Sequence, residues 1–285
     1  MRRILILCLF LSALATVCFG GYYNGSSQVP LIYYRYNGST YDQLTLYRQS
    51  ESGLVELDQA ASAFSTSDSN LQALWLFENN GTDEQGQNDL SISGATFSTT
   101  PTPPRGTYSL YNNGTNYYGA SISDASGVNI NMSSDFSVGG WFYSNDTVID
   151  GFINKYVPGA GQLLFGRFNS SDESFITIAY GNYTKVDLNG VCSWPASTWV
   201  HFVITYNSTS LVLRLYRNGS EITASPMPYT LPSSIYDSST YFAIGDAPDT
   251  TNISRPINGN ATEVFIFDKV LTDSEVSQIY QYGFN

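Results

Sequence analysis

Glu263-Val264-Phe265-Ile266-Phe267-Asp268, followed after Lys269 and Val270 by Leu271-Thr272-Asp273-Ser274-Glu275, decides how this chain folds. The first run is a long strand. In the second, Thr272 and Glu275 stand at the spacing of a capping box, in which a Thr hydroxyl and a Glu carboxylate three residues on satisfy each other's backbone N–H groups. A short helix through about Gln281 therefore starts here and lays Val276, Ile279 and Tyr280, one helical face, onto whatever sheet the strand belongs to. Working back along the chain, Leu211, Leu213 and Leu215 alternate with Val212, Arg214 and Tyr216 before Asn218-Gly219, a strand ending in a tight turn. His201-Phe202-Val203-Ile204-Thr205-Tyr206 is apolar on both faces, as a central strand must be. Turn signals recur at short intervals from residue 71 onward, the signature of an all-β unit.

Further upstream lie Ala73-Leu74-Trp75-Leu76-Phe77-Glu78 with the loop Asp83-Glu84-Gln85-Gly86, then Phe136-Ser137-Val138-Gly139-Gly140-Trp141, then Trp199-Val200-His201. In this order and spacing, closed by the strand and helix above, they resemble the laminin-G-like jelly roll of the concanavalin A-like lectin/glucanase superfamily. The resemblance implies an all-β sandwich over residues 71–285 with a short C-terminal helix. It also implies binding of sugars or proteins outside cells, with catalysis in only some branches. Fold alone does not choose between them.

Residues 1–20 read as a secretory signal peptide: Arg2 and Arg3, an apolar run from Ile4 to Val17, and small residues around Cys18-Phe19-Gly20. No second apolar stretch follows, so a secreted chain without a membrane span is expected. The formal net charge is −12, more negative still without Arg2 and Arg3, and such a surface repels nucleic acid. Residues 21–70 form a tyrosine-rich β extension, with a hairpin around Ser50 to Gly53 and a linker or short packed segment from Ala60 to Asn70. Asn-x-Ser/Thr acceptors occur at Asn24, Asn37, Asn80, Asn113, Asn131, Asn145, Asn169, Asn182, Asn207, Asn218, Asn252 and Asn260. That density points to a eukaryotic secretory route and a heavily N-glycosylated product. Cys8 and Cys18 leave with the leader, so Cys192 is either a buried thiol or pairs with another chain.

Chemistry has little foothold. His201 is the single histidine and reads as packed and hydrogen-bonded, and with one cysteine beside it a zinc site of ordinary type is excluded. Retaining glycosidases of the resembling superfamily carry paired acids on one strand face. Here Phe265 interrupts the run, and Glu263 and Asp268 read as surface or strand-end acids, so no enzyme is expected. The resemblance implies a calcium ion held by an acid of the opening loop and an Asp before the last strand. Asp83 fits the first, and where the chain has Thr262 the substitutes are Glu263 and Asp246 or Asp249 of the preceding loop; alternatively Asp83 stabilises the turn over Gly86. Trp75, Trp141 and Trp199 read as core, whereas Trp194 and Tyr117-Tyr118 are candidates for an exposed surface. Two functions follow as expectations: a non-catalytic extracellular module binding a glycan or protein through rim loops at 83–89 and 245–260, or a matrix or surface-coat component that self-associates through residues 21–70.

Overall fold

The computed structural model describes the side chains of residues 63–114, 119–123, 134–145, 151–155, 176, 194–222, 231, 235, 241–245 and 257–285, and the backbone of further strands. It divides into two units, Met1–Ser62 and Ala63–Asn285. In the first, β1 (Ile4–Leu5) pairs with β4 (Gly21–Tyr22) and β2 (Cys8–Leu11) with β3 (Ala15–Cys18). The strands β5 (Leu31–Tyr36), β6 (Tyr41–Ser50) and β7 (Gly53–Leu57) form an antiparallel meander, and Ser50 opposite Gly53 closes the expected hairpin.

The second unit is a sandwich of two antiparallel sheets. Its strands are β8 (Leu71–Trp75), β9 (Ser91–Ile92), β10 (Thr96–Ser98), β11 (Ser109–Asn113), β12 (Ala120–Ile122), β13 (Phe136–Ser144), β14 (Asp150–Lys155) and β15 (Leu163–Phe168). They continue with β16 (Glu173–Gly181), β17 (Thr184–Ser193), β18 (Trp199–Asn207), β19 (Val212–Arg217), β20 (Ser220–Glu221), β21 (Phe242–Ile244) and β22 (Asn258–Phe267), and α1 (Asp273–Tyr282) ends the unit. One sheet runs β10-β11-β22-β13-β18-β19-β20, with β8 also on β22; the other runs β17-β16-β15-β14-β21-β12-β9. The central place of β18, between β13 and β19, explains why both its faces are apolar.

Between the sheets, aromatic rings carry much of the packing. Trp75 stacks on Phe242 at 5.2 Å, Phe142 on Phe152 at 4.9 Å, and Phe152 lies 4.8 Å from Trp194. Trp194 is fully buried, contrary to the surface role read from sequence, while Trp199 is only half-buried and donates its indole N–H to Thr102 O. The reversal follows from strand alternation: Val200, Phe202 and Ile204 fill the core, so Trp199 points the other way.

The outer face of the first sheet is buried too. Leu74, Val203, Tyr216, Phe265 and Phe267 pack under Leu271, Val276 and Ile279 of α1 and its lead-in, together with Phe64. Phe64 also bridges Phe284 as a short parallel pair, so the segment before β8 is a packed part of this unit. The capping box of α1 is formed as expected, Glu275 N–H donating to Thr272 and Thr272 N–H to the Glu275 carboxylate. Leu211 is not on the strand; it is a turn residue with φ 56° and stands exposed.

Candidate functional site: a groove at the start of α1

A groove of about 500 Å³ opens on the outer face of the first sheet, a size within the usual range for ligand sites. Its floor comes from alternation on β19. Leu213 and Leu215 enter the core, which turns Val212, Arg214 and Tyr216 outward to meet Thr205 and Asn207 of β18. The opposite wall is the segment from Val270 to Ser274, which leads into α1. Ser137 of β13 holds that wall in place: its hydroxyl donates to Lys269 O at 2.7 Å and accepts from Leu271 N–H at 2.9 Å. Lys269 adds ion pairs to Asp68 at 2.6 Å and Glu275 at 2.8 Å. Both acids are thereby held below the usual carboxylate range against the opposing effect of burial.

One carboxylate lines the groove. Asp273 Oδ1 accepts the Tyr216 hydroxyl at 2.8 Å and pairs with Arg214 at 3.3 Å. Burial, then the bond to Asp273, push the Tyr216 hydroxyl up to about 12, so it stays a neutral donor. Asp273 also sits in the first turn of α1, where a negative charge is favoured by the helix dipole. The groove thus presents hydroxyls, a carboxamide and a guanidinium beside the apolar Val212, Val270 and Leu271. Such a lining suits a ligand rich in hydroxyls with an apolar ring face. A second carboxylate facing Asp273, as glycoside hydrolysis by two acids requires, is not among the lining residues.

The residues singled out from sequence sit elsewhere. Asp83 is buried, and its two oxygens accept the N–H groups of Leu74, Gln85, Gln87 and Asn88 and the Asn88 side-chain amide. A carboxylate has about four lone-pair sites, so Asp83 is saturated as the organiser of its loop. Glu263 is not a surface acid but is buried, and it pairs with Arg105 at 2.7 Å. Burial raises its carboxyl, with the Arg105 charge acting against that rise. A bulge re-aims Glu263. On β22 the core-facing residues are Ala261, Val264 and Ile266, so the alternation slips at Thr262–Glu263, where Glu263 has φ 46° and the pairing with β13 shifts register. Among the described residues no three His, Cys, Asp or Glu gather as a metal cluster.

The pair is roofed by the end of α1. Arg105 also donates to Tyr280 O and lies 5.6 Å over the Trp141 ring. At Gly283, with φ 68°, a Cβ would come within 2.7 Å of Glu263 Oε1, so only glycine fits. His201 lies tilted beside Trp141 at 5.1 Å and Tyr280 at 5.7 Å, fully buried. It is packed as expected, but neither ring nitrogen has a hydrogen-bond partner, which corrects that half of the sequence reading. Burial and then the Arg105 charge lower its pKa to about 3, so it is neutral and closed to proton-transfer chemistry.

Of the acceptor asparagines, Asn80, Asn113, Asn145 and Asn218 are exposed and Asn207 is half-buried on the groove floor. Asn260 is a correction: it is fully buried within β22 and donates its amide to Ser109 Oγ at 2.9 Å, leaving no room for a glycan in the folded unit. Asn24, Asn37, Asn131, Asn169, Asn182 and Asn252, the Cys192 side chain, Tyr117-Tyr118 and most of the 245–260 loop lie outside the described residues.

The family profile described as "Concanavalin A-like lectin/glucanases superfamily", of the Laminin_G_3 family, matches residues 112–277, more than half of the chain. The chain belongs to this family. Solved structures share the laminin-G-like fold at low identity. Domain 4 of AbnA, an extracellular arabinanase of Geobacillus stearothermophilus solved with arabinotriose, is similar at TM-score 0.53 and 17% identity, covering 74% of this chain and 98% of that one. The receptor binding domain of botulinum neurotoxin type G is similar at TM-score 0.52 and 15% identity, over 75% of this chain and 51% of that chain. A Trypanosoma rangeli sialidase solved with sialic acid gives TM-score 0.54 and 12% identity, over 98% of this chain and 52% of that chain. The chain thus spans about half the length of the neurotoxin and sialidase chains. No curated protein sequence matches it. Binding domains and chains of glycosidases both stand among these neighbours, and no helix among the described residues is long and apolar enough to cross a membrane.

Proposed function

We propose that the laminin-G-like unit is a non-catalytic, extracellular glycan-binding module and that the groove at the start of α1 is its ligand seat. The observation that carries this reading is the lining. Thr205, Ser210, Thr272 and Ser274 offer hydroxyls around Arg214, the apolar Val212 and Val270 flank them, and the one acid is tied to Tyr216. A saccharide offers hydroxyls to the first set and ring C–H faces to the second. Arabinotriose bound by an AbnA domain of similar fold agrees with this ligand class. Probing a glycan array with the purified chain made free of N-glycans, and with Arg214→Ala in the same form, tests it. The variant is expected to lose at least ten-fold in binding, and a chain that binds no glycan, or a variant that binds undiminished, would overturn the proposal.

The structural alternative is favoured by one observation. The β5-β6-β7 meander is an open three-stranded sheet, and an open sheet edge is a template for strand addition by a second chain. Self-association through residues 21–70 would supply that chain, and a mass in solution that stays monomeric with or without that segment would remove the alternative.

A further inference from the structure

We propose that Asn207 carries an N-glycan whose first sugars lie in the groove, so that the chain's own glycan occupies the ligand seat until the sequon is left unmodified. The inference rests on the saccharide character of the groove proposed above. Its independent support is the geometry of Asn207. This residue lines the groove and opens the acceptor Asn207-Ser208-Thr209. Its Oδ1 accepts three bonds from the turn that follows, from Thr209 N–H at 3.1 Å, Ser210 N–H at 2.7 Å and Ser210 Oγ at 2.9 Å. Ser208 is pinned in turn, its N–H and hydroxyl both donating to Asp135 Oδ1, at 2.7 and 2.8 Å. The carboxamide is thus fixed through its oxygen, and the nitrogen that takes a glycan is the end left over.

In the modification, Asn207 Nδ2 forms a bond to the anomeric carbon of an oligosaccharide carried on a lipid diphosphate. The amide loses one proton, and the lipid diphosphate is the leaving group; the secretory host supplies both donor and transferase. Attached there, the first sugar starts at the groove floor, next to Val212, which is 41% exposed. Asn80, Asn113, Asn145 and Asn218 are exposed and do not line the groove, so glycans on them have no such seat.

The full chain made in a eukaryotic secretory host tests this, beside Thr209→Ala, which removes the sequon and keeps Asn207. Glycopeptide mass spectrometry is expected to find Asn207 occupied. Endoglycosidase should release its glycan from the native protein at least ten-fold more slowly than glycans at exposed acceptors, and equally fast after denaturation. Thr209→Ala should bind array glycans at least ten-fold more tightly than the glycosylated parent. An unmodified Asn207, equal native release, or equal binding by the two forms would overturn the inference while leaving the glycan-binding proposal standing. Slow native release with no array binding by Thr209→Ala would instead sink that proposal and support a groove filled only by its own glycan.

Discussion

The Tyr216 hydroxyl donates to Asp273 Oδ1 at 2.8 Å, and this bond joins the strand floor of the groove to the helix start that forms its wall. Tyr216 is itself fully buried, whereas the Asp273 side chain is 68% exposed, so the bond is a hinge pin at the groove's edge with water on one side. Tyr216→Phe keeps the ring and removes the pin. Solvent around Asp273 tempers the loss to about 1 kcal/mol. Denaturant unfolding should show that cost, and glycan binding should weaken as the wall loses its tie to β19. A variant with parental stability and binding would show that the pin carries neither.

Thr272→Ala addresses the same wall from the helix side. It leaves the Glu275 N–H and one arm of the reciprocal cap unmet, at about 1 kcal/mol. Thermal unfolding should register the change as a lower midpoint, and Thr272→Ser should recover most of it because the hydroxyl is what caps.

Much of this wall and floor was legible from sequence because it depends on local chemistry. The Thr272 to Glu275 spacing gives a cap whatever the helix packs on, and the alternation from Val212 to Tyr216 gives two faces whatever the sheet pairs with. What was not legible depends on pairing at a distance. Arg105 reaches Glu263 across 158 residues of sequence, and nothing near either residue announces the other. The slip at Glu263 comes from its register with β13, so regular counting along β22 misplaces its side chain. Asn260 satisfies the glycosylation pattern, yet its place between Tyr111 and Tyr143 in the sheet closes it to solvent. Trp194 and Trp199 exchanged roles for the same reason, since only the assembled sheets say which one faces inward.

Removing one member of the Arg105–Glu263 pair should be costly. Arg105→Met leaves the Glu263 carboxylate buried without its counter-charge and frees Tyr280 O, and about 3 kcal/mol is expected. The double variant Arg105→Met with Glu263→Gln should be less destabilised than the sum of the singles. Additive losses in a double-mutant cycle would mean that the two side chains act independently.

Asp83 offers a direct test of the calcium expectation. Its oxygens already take five N–H donors, so Asp83→Ala should lower stability by about 3 kcal/mol through loss of buried hydrogen bonds. Added calcium or chelator should leave the parent's unfolding midpoint unchanged. A calcium-dependent rise in the parent that vanishes in Asp83→Ala would show that the carboxylate ligates metal after all.

His201 makes the fold sensitive to acid in a defined window. Its folded pKa of about 3 lies below the ordinary histidine value of 6.5, so the unfolded chain takes up a proton that the folded chain refuses. Stability is therefore full above about pH 6.5 and falls as pH drops toward 3, with about 5 kcal/mol at stake if the whole shift is expressed. The raised carboxyl of Glu263 works with the opposite sign, since the folded state then binds its proton more readily than the unfolded one. Comparison of the parent with His201→Phe isolates the histidine. The phenyl ring keeps the tilted ring contacts with Trp141 and Tyr280 and carries no titratable nitrogen. Between pH 6.5 and 5 the parent should lose stability relative to the variant, because Glu263 contributes equally to both. Parallel curves for the two proteins would mean that the His201 ring reaches water and protonates in the folded state.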